Sequence, residues 1–169
     1  MKNNFALLLL VVLLSSFSSF SVNSEKDKQK INLVLDQWHK AAAEAKFDAY
    51  FNLMTVDAIF IGTDATENWN RSQFQAFAKP FFDRGKAWSF TAVERHIFFD
   101  KSGQTAWFDE LLSTQMKICR GSGVLVKVGN NWKIQHYVLS MTIPNDNSNE
   151  VVKIKSPIEN ALLEKLSKK

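Results

Sequence analysis

Disulfides are excluded first: Cys119 is the only cysteine, so no internal pair can form and packing alone must hold the chain. Membrane-spanning length is also missing. The longest apolar run, Phe5 to Leu14, has about ten residues, where a spanning helix needs roughly 20. No cluster of Lys and Arg with interleaved aromatics occurs in the body of the chain, which excludes a nucleic-acid surface. Only 3 His residues are present, scattered without ligand spacing, so neither a metal site nor a cofactor is expected. There is no phosphate-binding glycine loop, no nucleophile elbow and no internal repeat.

What is present begins with an N-terminal address. Lys2 precedes the apolar run, and Ser15, Ser16, Ser18, Ser19 and Ser21 follow it. That is the three-part layout of a secretory signal over residues 1–24, cut after Ser21 or Ser24. The expected location is periplasmic or secreted, with no stable membrane insertion after cleavage. Residues 25–144 have the length of one domain. Residues 145–169 read as a linker followed by a short amphipathic helix. The net charge of +4 is concentrated in this tail, at Lys153, Lys155, Lys165, Lys168 and Lys169, as a solvated face.

Helical spacing starts at Ile31 and runs through Val34, Leu35, Trp38, Ala42 and Ala45, opposite Asp36, Lys40 and Glu44. A short helix is predicted over Phe47 to Met54, with Tyr50, Phe51 and Met54 facing in. Asp57 to Ile61 reads as a strand ended by Gly62, and Thr63 to Trp69 as a polar loop. Ser72 with Gln75 is a capping-box spacing, so a third helix is predicted from Gln73, with Phe74, Phe77, Ala78 and Phe81 on its apolar face and Gly85 after its end. Strand segments follow at Trp88–Phe99, Gln104–Thr114, Ile118–Val128 and Trp132–Ile143, joined by tight turns as an antiparallel meander. The tail helix is predicted from Ser156-Pro157, with Ile158, Leu162, Leu163 and Leu166 on one side.

The order helix, helix, strand, helix, meander resembles the nuclear transport factor two-like superfamily, with its ketosteroid-isomerase and SnoaL-like branches. The resemblance is carried by Ile61-Gly-Thr-Asp-Ala-Thr-Glu-Asn-Trp69, Ala106-Trp107, Arg120-Gly-Ser-Gly-Val-Leu125 with Lys127, Trp132-Lys-Ile134 and the closing Ser140. It is closest to the SnoaL-like branch and covers Ile31 to Pro144. The resemblance implies an α+β fold, cone-shaped, with three N-terminal helices on a curved, mainly antiparallel sheet and a short C-terminal helix. It also implies a pocket between helices and sheet, and a homodimer through the outer sheet face. One departure matters. Where many relatives carry His two residues before the closing Ser, this chain has Val138, and its His stands at His136.

Strand alternation then sorts the pocket's expected lining. With Lys133 assigned to water, Trp132, Ile134, His136, Val138 and Ser140 are expected inward. With Lys127 assigned likewise, Arg120 and Ser122 face in as well. Asp109 and Glu110 are adjacent, so only one can face in, and alternation does not choose between them. Whichever does is expected beside Arg120, as a structural ion pair, an anion site or an acid/base group. Asp64 and Glu67 are either turn formers or caps, or one of them is a general base. Trp38, Trp69 and Trp107 are candidate stacking surfaces for a small, partly hydrophobic molecule. His39 is expected in solvent, and Cys119 as a packed thiol. The expectation is an exported small-molecule-binding domain that uses Trp38, Asp64, Trp69, Trp107, Arg120, Ser122, His136 and Ser140. The alternatives are an acid/base enzyme (isomerase, cyclase or hydrolase) built on Asp109 or Glu110 with Arg120 and His136, and a dimeric interaction module.

Overall fold

The computed structural model of the chain describes residues 24–168; the signal expected over residues 1–24 lies outside them but for Ser24. Helix α1 (24–43) buries the predicted stripe, with Ile31, Leu35, Trp38 and Ala42 all closed to solvent. It stops where Ala45 turns to φ 52 and the Lys46 N–H bonds back to the Ala41 carbonyl at 2.8 Å. Helix α2 (Phe47–Asn52) is two residues shorter than its apolar pattern suggests, because Met54 opens strand β1 (Met54–Ile61) instead of closing the helix.

The segment read as a loop contains a short strand, β2 (Asn68–Asn70), paired antiparallel to β1. Helix α3 (Arg71–Asp83) is capped by Asn70, not Ser72: the Asn70 side chain accepts from Gln73 N and the Gln73 side chain accepts from Asn70 N, both at 3.0 Å. The box lies two residues earlier than predicted, because Asn70 is the last residue with extended backbone. Then come β3 (Thr91–Phe99), β4 (Thr105–Thr114), β5 (Lys117–Val128) and β6 (Asn131–Met141). The curved six-stranded sheet runs β2-β1-β6-β5-β4-β3, antiparallel throughout except where β1 lies parallel to β6. The helices ahead of the meander cover its inner face, as the α+β reading expects.

Two details of register decide which side chains see that inner face. Strand β5 alternates strictly: Cys119, Gly121, Gly123 and Leu125 are buried, so Arg120, Ser122, Val124 and Val126 point outward. The inward expectation for Arg120 and Ser122 is therefore reversed. Its anchor was Lys127 in water, yet Lys127 turns in and donates to Asp27 of α1 at 2.7 Å. Strand β6 carries a bulge: Leu125 pairs with Ile134 but Val124 with His136, leaving Gln135 unopposed. Trp132 and Ile134 face in as predicted; past the bulge the parity flips, so Tyr137 and Leu139 face in and His136, Val138 and Ser140 face out.

The tail also departs from its pattern. Helix α4 (Ser148–Leu166) begins eight residues before the predicted start and runs through Pro157. The proline removes one backbone bond, while the Ser156 hydroxyl adds one to the Val152 carbonyl. None of its residues is buried; Ile154 and Ile158 are more than three-quarters exposed.

Candidate functional site

Glu110 is the inward carboxylate, 1% exposed. Its Oε1 accepts from His39 Nε2 at 2.8 Å and from the Tyr137 hydroxyl at 3.3 Å, while Oε2 accepts from Arg95 Nε at 2.8 Å. Arg95 Nη1 continues to Asp36 Oδ1 at 2.9 Å and to Asn32 Oδ1 at 3.1 Å on α1. The partner of the buried carboxylate is thus Arg95 on β3, not Arg120. Cross-strand register explains it, since Arg95 stands directly opposite Glu110. His39, expected in solvent, is 5% exposed because Glu110 gives it a partner inside.

Burial alone would raise the pKa of Glu110. The His39 hydrogen bond and charge, and then Arg95, outweigh burial and hold the carboxyl below its ordinary value. Tyr137 moves the other way: burial first, then the Glu110 charge, push its hydroxyl well above the usual phenol range. Room for this cluster depends on Gly121, where a Cβ would come within 2.3 Å of the Tyr137 hydroxyl and 3.0 Å of the Glu110 side chain.

Next to this cluster lies a cavity of about 180 Å³ walled by rings. Phe60 comes from β1, Trp69 from β2, Phe74 and Phe77 from α3, and Trp88 and Phe90 from the segment before β3. Leu139, Gln115, Met116, Gly62, Thr63 and Glu67 complete the wall. Five of the rings, all but Phe90, are close to parallel with a neighbour. Phe60 and Phe74 stack at 3.9 Å and 13°, Trp69 and Phe77 at 4.4 Å and 23°, and Trp88 lies 24° from Phe74. Each such pair contributes about 0.5–1.5 kcal/mol beyond its buried area, enough to hold the walls in one geometry.

Of the residues that the sequence singles out, Trp69 and Glu67 line this cavity. Trp38 is core, stacked on Tyr50 at 4.8 Å and edge-on to Tyr137. Asp64 lies on the exposed loop before β2, its carboxyl lowered by bonds from the Thr66 hydroxyl and backbone N–H. Trp107, Arg120, Ser122, His136 and Ser140 are on the opposite side of the sheet, and Asp109 faces His96 there at 3.1 Å. The structure therefore gathers two of the named residues with ten others that patterning assigned elsewhere or left unplaced. Arg95 had a usable signal, since it shares period two with Ile97 and Phe99. Among the described residues no group of His, Cys, Asp and Glu is arranged to hold a metal.

The sequence model for the SnoaL-like domain matches residues 31–144. Three solved structures share the fold. An NTF2-like protein of unknown function from Pseudomonas putida KT2440 is 11% identical, with TM-score 0.62 over 73% of this chain and 92% of its own. A candidate scytalone dehydratase from Novosphingobium aromaticivorans is 13% identical, with TM-score 0.62 over 73% and 89%. A candidate dehydratase of the NTF2-like family from Streptomyces avermitilis is 13% identical, with TM-score 0.61 over 72% and 99%. At such identities the likeness speaks for the fold alone. No curated protein matches the chain.

Proposed function

The chain belongs to the SnoaL-like domain family, and from there we propose that it is an exported binding protein for a small, flat, partly hydrophobic molecule. The observation that carries this reading is the ring-walled slot of Phe60, Trp69, Phe74, Phe77 and Trp88. A parallel stack of rings suits a planar guest, which adds one more layer to it. The volume of about 180 Å³ is below the roughly 300 Å³ at which ordinary ligand pockets begin, so the guest has one or two rings. Glu110 is a poor acid or base for such a guest. Both its oxygens are taken, and its carboxyl is held below the usual range instead of near neutrality.

Export and dimerisation belong to the same proposal. The apolar run after Lys2 supports export. On the outer sheet face, Phe98 and Trp107 stack at 5.9 Å with each 47% exposed, which supports pairing with a second copy. Native mass spectrometry of the protein from its own host tests all three parts. The expected species is a dimer that starts after Ser21 or Ser24 and carries a small adduct, with the adduct lost in Trp69→Ala. An empty monomer that retains residues 1–24 would refute the reading.

A second reading is acid/base catalysis; two of the structural neighbours are named as candidate dehydratases. It is favoured by His39, which backs onto Glu110 and also lines an open groove with Asp36, Lys40 and Phe90. Turnover of the retained molecule by the wild type, abolished in His39→Gln with the adduct still bound, would make this the better account.

A further inference from the structure

We propose that the ring-walled slot selects a planar organic cation, with Glu67 as its counter-charge. This rests on the slot being the ligand site. Among the described residues Glu67 is the only ionisable one in the wall; no Lys, Arg or His joins it. The other polar members, Thr63 and Gln115, are neutral. Ring faces carry negative quadrupole potential, so the rings and the carboxylate favour the same sign of guest. An anion would meet repulsion from both.

The carboxylate is placed, not dangling. The Gly62 N–H bonds the Glu67 carbonyl at 2.9 Å, and the Glu67 N–H bonds the Asp64 carbonyl at 3.0 Å, closing the loop. Oε2 then accepts the Asp64 N–H at 3.1 Å. Gly62 makes the placement possible: a Cβ there would lie 2.1 Å from Glu67 Oε2. Among the described residues no donor reaches Oε1, and no cation pairs with Glu67. Lys155 of α4, which shares a groove with the loop from Thr63 to Thr66, is paired with Glu159 at 2.8 Å. A half-buried carboxylate beside apolar rings is costly without a counter-ion, and a bound cation offsets that cost.

Isothermal titration calorimetry with three probes of matched shape tests this: N-methylquinolinium, 1-methylnaphthalene and 1-naphthoate. The wild type is expected to bind the cation about tenfold more tightly than the neutral probe, and the anion least. In Glu67→Gln, whose amide oxygen still accepts the Asp64 N–H, the cation and the neutral probe should converge to within about threefold. Gly62→Ala displaces the carboxylate without removing its charge and should give the same convergence. Equal binding of cation and neutral probe by the wild type overturns the role of Glu67 while leaving the slot as a binding site. If none of the three binds, and Trp69→Ala changes nothing, the slot itself fails as the site.

Discussion

Asp109 and Glu110 are neighbours in the chain, each a carboxylate beside a histidine, yet they stand on opposite faces of one sheet. Glu110 on the inner face is sealed among His39, Tyr137 and Arg95. Asp109 on the outer face meets His96 at 3.1 Å with both side chains about half exposed. The outer pair raises the His96 pKa, first through the Asp109 hydrogen bond, but water screens whatever stability it lends. The inner pair has no water to fall back on. Identical chemistry is thus structural on one face and close to neutral on the other, and the dielectric surroundings make the difference.

The sharpest way to break that comparison is to unpair the inner face. Arg95→Met leaves Glu110 without its fixed cation and should destabilise the fold by about 3–5 kcal/mol in urea unfolding. A loss below about 1 kcal/mol would mean that the inner cluster is solvated after all. Acid should act on the same group. Because Glu110 is held below its ordinary value of 4.5, its contribution is complete above that value and fades as pH falls through the lowered one. Urea midpoints should therefore drop below about pH 4.5 in the wild type and drop less in Glu110→Gln.

Overpacking comes next. Gly121→Ala should cost about 1–3 kcal/mol, read from the thermal midpoint, because its methyl meets the Tyr137 hydroxyl and Glu110 together. The smallest effect belongs to the outer face. Asp109→Asn should change stability by no more than about 0.5 kcal/mol and return the His96 titration, followed by NMR, toward its ordinary range. A larger loss there would place Asp109 in a buried contact that the isolated chain does not display.

Much of the architecture was legible along the chain. The stripe Ile31, Leu35, Trp38, Ala42 predicts α1, and the four strand segments with their turns predict the meander. The site was less so. Phe74 and Phe77 read as core, and His39 as solvent-facing, since nothing local records that Glu110 will lie against it. Lys127 misled in a particular way. A lysine on a strand is safely assigned to water only when no carboxylate waits inside, and Asp27, 100 residues away, does.

What the sequence determines by itself is whatever depends on neighbours within a turn or a strand: the helical stripes, the strand segments, the Gly85 stop after α3. That one of Asp109 and Glu110 must face inward also follows from strand geometry alone. Which one does is a tertiary fact. It depends on β4 aligning with Arg95 of β3, on the single extra residue Gln135 that reverses the end of β6, and on α1 delivering His39 from 71 positions away. Side-chain period two has no memory across a bulge, and a buried charge is settled only by the partners that folding brings to it.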